Sequence, residues 1–193
     1  MARRKYEFQP DRPQTSILEK LSLTKRQRQT VLRWILHGLL VLILSLIQDV
    51  ILCRMNIFGA TTDLVPGAIF TLCVLLGCER GCVFALIAGA LFAFSGMGPG
   101  FHAIALIPVI GIGLSMLQQT LLRKSTSSDL LAVTAAIMVY ELIIFLVGVS
   151  MGETALFRVV SAVATGVMTV ICSFVLYPIF AAIEKIGGNP WNA

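Results

Sequence analysis

Of 193 residues, 57% are hydrophobic and 13% charged, and a mean hydropathy of +0.89 excludes an ordinary soluble domain. Several bilayer crossings are required. The net charge of +5 gathers largely ahead of Trp34 without an aromatic stacking platform, which suits anionic lipid head groups and argues against nucleic acid.

Residues 1–33 form a basic tail in which Arg3, Arg4, Lys5, Arg12, Lys20, Lys25, Arg26, Arg28 and Arg33 outweigh Glu7, Asp11 and Glu19. Within it, Ser16-Ile17-Leu18-Glu19 has capping-box spacing ahead of Leu21 and Leu23. One expectation is a short interfacial helix; the other is an unstructured leader that obeys the positive-inside rule. Residues 34–184 read as an all-α polytopic membrane domain, a bundle of six transmembrane helices near 34–53, 63–78, 81–94, 102–122, 130–151 and 159–182. Residues 185–193 make a short polar, flexible tail.

Lys and Arg set the orientation. The tail, Arg80, Arg123, Lys124 and Lys185 fall on one side and only Arg54 and Arg158 on the other, so both termini are expected in the cytoplasm. Leu52-Cys53-Arg54 offers no small-residue cleavage site, and the first crossing is expected to stay as an anchor. That crossing is rich in Leu, Ile and Val, with His37 near its inner end and Gln48 and Asp49 near its outer end. Asp63 or Thr62 is placed to cap the next helix, with Pro66 in the first turn, where no intrahelical donor is lost.

The second and third crossings fall short of the roughly 20 residues that span a hydrocarbon core. They are joined by only a few residues around Gly77-Cys78-Glu79-Arg80-Gly81, which predicts a tight antiparallel hairpin that is buried or partly re-entrant. Gly77, Gly81, Ala85, Gly89 and Ala93 recur every fourth residue and place small side chains on one stripe. Because lipid gives helices little hydrophobic reason to associate, such a stripe acts by letting another backbone approach closely. The stripe either closes the chain's own bundle or receives a partner's crossing.

Cys73, Cys78 and Cys82 cluster near this turn without a CxxC pair or a neighbouring His, so they read as packing thiols and no metal or disulfide is expected. Pro108 with Gly111 and Gly113 predicts a kink in the fourth crossing. The fifth crossing holds Glu141, roughly 18 Å from its inner end at 1.5 Å per residue. A carboxyl at that depth is expensive, so Glu141 is either a functional group or a neutral acid making one interhelical hydrogen bond, with His102 and Gln48 as groups able to approach it from above. Asp49, Asp63 and His102 complete the intramembrane polar candidates. No nucleophile elbow, zinc-helix motif, phosphate loop or pair of acids at metal-ligand spacing is present, so neither catalysis nor a cofactor is expected.

Asp63-Leu64-Val65-Pro66, Gly77 to Gly81, Phe84 to Leu91, Ser95-Gly96, Gly98 to Ala105 and the closing Tyr177-Pro178-Ile179-Phe180 with Lys185 together resemble the bacterial rod-shape-determining MreD family. The resemblance covers most of the chain after Trp34. It implies a non-enzymatic scaffold of the cell-elongation machinery in the bacterial cell membrane, partnered by a single-pass MreC-like protein and, through it, by MreB filaments, RodA and its transpeptidase. It also implies a fold similar to the substrate-binding subunits of energy-coupling-factor vitamin transporters. Those subunits resemble this chain equally well in size, six-helix plan and glycine-bearing hairpins, and they supply the alternative function. Under it the 54–62 loop, Asn56, His102 and Glu141 would line an outward-facing pocket.

Overall fold

The computed structural model of the chain describes residues 25–54, 60–95, 102–120 and 125–186. Every regular element is helical: α1 (Lys25–Val50), α2 (Leu64–Phe94), α3 (His102–Thr120), α4 (Thr126–Ser150) and α5 (Val159–Glu184), with 3-10 turns at Leu52–Arg54 and Leu156–Arg158. Five helices are long and apolar enough to cross a membrane, which makes this a multi-pass membrane protein. The segment Ser16-Ile17-Leu18-Glu19, the 55–59 part of the 54–62 loop with Asn56, Arg123, Lys124 and the tail from Gly187 lie outside the described residues.

α2 is not a single rod. At Gly77 the backbone takes φ +76° and ψ −178°, a combination that is essentially glycine's alone. A continuous helix would hold Cys73 and Gly81 about 12 Å apart along its axis. Instead the Cys73 thiol donates to the Gly81 carbonyl oxygen across 3.6 Å, and a Cβ added to Gly81 would stand 2.8 Å from the Cys73 carbonyl oxygen. The chain therefore doubles back at Gly77 into two arms, 64–76 and 78–94. The turn is a single glycine, so Cys78, Glu79 and Arg80, expected in a short loop, already belong to the second arm.

The first arm is the centre of the molecule. Residues 64–74 are all buried, and α2 packs against each of the other four helices. Phe70 meets Tyr140 of α4 edge-on with ring centroids 5.8 Å apart, and Gly67 lies so close to α5 that a Cβ there would reach Ser173 Oγ at 2.6 Å. Lipid supplies no hydrophobic gain for such contacts, so this arm is held by dispersion and by close backbone approach.

Asp63 stands at the N-cap of α2, but its side chain makes no capping bond. The cap comes from other helices: Gln48 Oε1 of α1 accepts from the Val65 amide at 2.8 Å, and Thr169 Oγ1 of α5 accepts from the Asp63 amide at 3.1 Å. Thr169 lies ten residues inside α5, so the first arm begins about 15 Å along the bundle from that helix's N-terminal end. A helix start at that depth has no water to satisfy its amides, and polar side chains from neighbouring helices take that role.

The small-residue stripe faces inward. Added Cβ atoms at Gly81 and Gly89 would meet Ser115 Oγ and Pro108, and one at Gly111 would meet the Ala85 Cβ at 2.8 Å, so the second arm and α3 run antiparallel in near-backbone contact. Gly77 serves the turn, and Ala93 is half-buried at the far end. α1 is the loosest member. It begins nine residues before the predicted crossing, and much of its apolar surface is exposed, including Ile35, Leu39, Leu42 and Leu46.

Candidate functional site

The end of the bundle that carries the two chain ends of the described segment is closed by polar contacts among five helices. Arg33 of α1 donates through its guanidinium to Glu184 Oε1 of α5 at 3.2 Å and through Nε to the Ile186 carbonyl oxygen at 2.6 Å. Arg80, just past the hairpin turn, reaches the same carboxylate at 4.0 Å. Alongside, Asp129 of α4 accepts from Tyr177 Oη of α5 at 2.9 Å and from Gln118 Nε2 of α3 at 3.4 Å. His37 is buried beside Phe180, ring centroids 6.2 Å apart. Sequence reading passed over Asp129, Glu184 and the role of Arg33, because each sits at a helix end where a charge looks merely interfacial.

The opposite half of the bundle holds the most suggestive polar group. Glu141 is 8% exposed, and one of its carboxylate oxygens is buried without a hydrogen-bond partner among the described residues. The hydroxyl of the adjoining Tyr140, 0% exposed, is also unpartnered. Asp63, at the start of α2, is near enough for its carboxylate to act electrostatically on both. Neither Gln48 nor His102 bonds to Glu141: Gln48 is committed to the Val65 amide, and His102 opens α3 half-buried. Asp49 is exposed near the end of α1.

Local structure builds a cavity over Glu141. α4 ends in a Schellman turn: the Glu153 amide donates to the Gly148 carbonyl oxygen at 2.9 Å and the Gly152 amide to that of Val149 at 3.1 Å, with Gly152 at φ +75°. The turn brings Thr154 back over the helix, and the 3-10 turn that follows delivers Arg158 to the start of α5. Gly166 lets α5 close on α4 below; a Cβ there would stand 2.9 Å from Met138 Sδ and 3.5 Å from Glu141 Cγ. Between them lies an open cavity of about 200 Å³ walled by Glu141, Phe145, Thr154, Arg158, Ser161 and Thr165. A second, apolar hollow of about 190 Å³ adjoins it and shares Glu141, Phe145 and Ala162.

A third hollow, about 350 Å³ and almost wholly apolar, runs between α1 and the second arm of α2 past Gly38, Leu42, Ser45, Phe84, Ala88 and Leu91. A Cβ added to Gly38 would meet nothing within 4 Å. Cys73, Cys78 and Cys82 are free thiols, with the Cys78 and Cys82 sulfurs 3.9 Å apart, and the described residues contain no group of three or more His, Cys, Asp or Glu arranged to hold a metal. No protein-family model, curated protein or solved structure matches this chain.

Proposed function

We propose that this protein is a non-enzymatic scaffold of the bacterial cell-elongation machinery, seated in the cell membrane with both termini in the cytoplasm and docking the single crossing of an MreC-like partner. The two arms of α2 count as separate crossings in this reading, giving six in all and an arrangement similar to a transporter substrate-binding subunit. Anionic lipids hold the basic leader, and MreB filaments, RodA and its transpeptidase are reached through the partner.

The observation that carries the docking is the hollow between α1 and the second arm. Gly81, Ala85 and Gly89 spend their close approach on α3, so the open surface for another helix is the other side of that arm, where Gly38, Ser45 and Ala88 keep the walls low. Gly38→Leu narrows the hollow, and its Cβ enters without a clash, since nothing lies within 4 Å of a Cβ at this position. The expected result is loss of an MreC-like chain from pull-downs out of native membranes, with the variant still monodisperse. Retention of that chain by a folded Gly38→Leu protein would rule out docking at this surface.

A second reading, the substrate-binding subunit of an energy-coupling-factor transporter, is favoured by the cavity over Glu141. Native mass spectrometry of the purified protein separates the two by showing either a stoichiometric small molecule or the partner chain.

A further inference from the structure

The cavity between α4 and α5 has an acid at one end and a base at the other, and neither makes an ion pair among the described residues. Glu141 lies about 14 Å below the outer end of α4, nine residues from Ser150, with a buried oxygen that no described residue satisfies. Asp63 adds a second carboxyl within electrostatic reach of that inner end. At the mouth, Arg158 is exposed and makes no ion pair among the described residues, where the pairs found both belong to Glu184 at the other end of the bundle. Glu141 and Arg158 thus wall one cavity without bonding to each other. Thr154, Ser161 and Thr165 add hydroxyls between the charged ends, and Phe145 supplies an apolar wall. An acid at this depth persists where a donor serves it, and none of the described side chains does so.

We infer that this cavity binds a small zwitterion of the α-amino-acid type, with its ammonium group toward Glu141 and its carboxylate toward Arg158. The charge order decides the orientation: inner wall acidic, mouth basic. Size decides the class. Pockets for drug-sized ligands run to about 300–1,000 Å³, and the 200 Å³ of the polar cavity takes a free amino acid without drawing on the adjoining hollow. The inference rests on the second reading only in treating the cavity as a ligand site, and it needs neither transport nor a docked partner.

The test uses the purified full chain in detergent and the twenty L-amino acids supplied singly, with N-acetylated and amidated forms of any that respond. At a hundredfold excess over its dissociation constant, a bound amino acid raises the melting temperature by about 5 °C or more. Acetylation or amidation should each abolish the shift, because each removes one of the two charges. Glu141→Gln should abolish it, and Arg158→Gln should weaken binding at least tenfold. Should Glu141→Gln fail to fold, Ser161→Phe fills the mouth, keeps both charges and should remove the response equally. A shift that survives acetylation, or that survives Glu141→Gln and Ser161→Phe, overturns the inference. If no amino acid binds but native mass spectrometry shows another stoichiometric metabolite, the zwitterion falls while the transporter-subunit reading stands; if nothing binds at all, both fall.

Discussion

Replacing Gly81 with Ala tests the feature on which the fold turns. In an unbroken α2 the position would be an ordinary helical site, and Gly→Ala would stabilise the helix by up to about 1 kcal/mol. In the doubled-back arrangement the new Cβ stands 2.8 Å from the Cys73 carbonyl oxygen and 2.7 Å from Ser115 Oγ, where ordinary contact begins at 3.4 Å. Neither neighbour yields freely. The carbonyl belongs to a fully buried backbone, and the hydroxyl donates to the Gly111 carbonyl oxygen at 2.8 Å. The arms must separate by about 0.6 Å, which loosens the contact with α3 on the same face. Overpacking of this kind costs about 1–3 kcal/mol, or about 3–10 °C of melting temperature for a chain of this length.

The assay is loss of the monodisperse peak after heating in detergent, with Gly113→Ala as the reference, because an added Cβ there meets nothing within 4 Å. Gly113→Ala should melt at or above the native temperature and Gly81→Ala well below it. Equal melting temperatures for the two would refute the hairpin and return α2 to a single continuous rod.

Gln48→Leu should cost about 1–3 kcal/mol in the same assay, since it strands the buried Val65 amide, whereas Gln48→Glu keeps an acceptor there and should lose less. Gly67→Ala should destabilise by about 1–3 kcal/mol through its 2.6 Å contact with Ser173 Oγ, and adding Ser173→Gly should recover a measurable part of that loss; no recovery would mean that the two helices do not meet there. Arg33→Ala should cost about 1–3 kcal/mol, because the side chains of Arg33 and Glu184 are 12% and 11% exposed, while Arg80→Ala, at a position 47% exposed and 4.0 Å away, should change stability by less than about 1 kcal/mol.

Much of the architecture could be read from residue spacing. The apolar runs locate four of the five membrane-length helices, and the tight reversal around Gly77 was visible in two further runs, read as separate crossings, that are too short to cross alone and separated by almost nothing. Its one-residue turn was not visible, because Cys78-Glu79-Arg80 looks like a polar loop and is instead the first turn of an arm whose apolar face follows. The cap of α2 was misassigned for a related reason. Asp63 has the local chemistry of an N-cap, but a helix that starts deep in the bundle draws its acceptors from whatever helix is alongside, and here Gln48 takes the Val65 amide while the aspartate's side chain makes no capping bond. The importance of Glu141 follows from depth alone. Its companions Arg158, Thr154 and Ser161 do not, since they meet it only after the Schellman turn at Gly152 folds the α4–α5 connection back over the bundle.

The two proposed surfaces share a structural origin. The first arm of α2 is only 13 residues, about 20 Å, and its start lies well inside the ends at which α4 and α5 are joined. Among the described residues, helices that rise past a short central strut have no helix between them above it, so a hollow between α4 and α5 at the level of Asp63 and Glu141 follows from the hairpin's length. The second arm, 17 residues long, commits one side to α3 and leaves its other side to α1, which keeps much of its apolar surface exposed and joins the bundle through His37, Val41, Leu44, Gln48 and Arg33. Lengthening the first arm by one helical turn above Asp63 would therefore fill the Glu141 cavity while leaving the α1 hollow open. Such an insertion should remove small-molecule binding without affecting capture of a partner crossing. If one insertion abolished both activities in a folded protein, the two surfaces would not be separable, and a single coupled site would replace them.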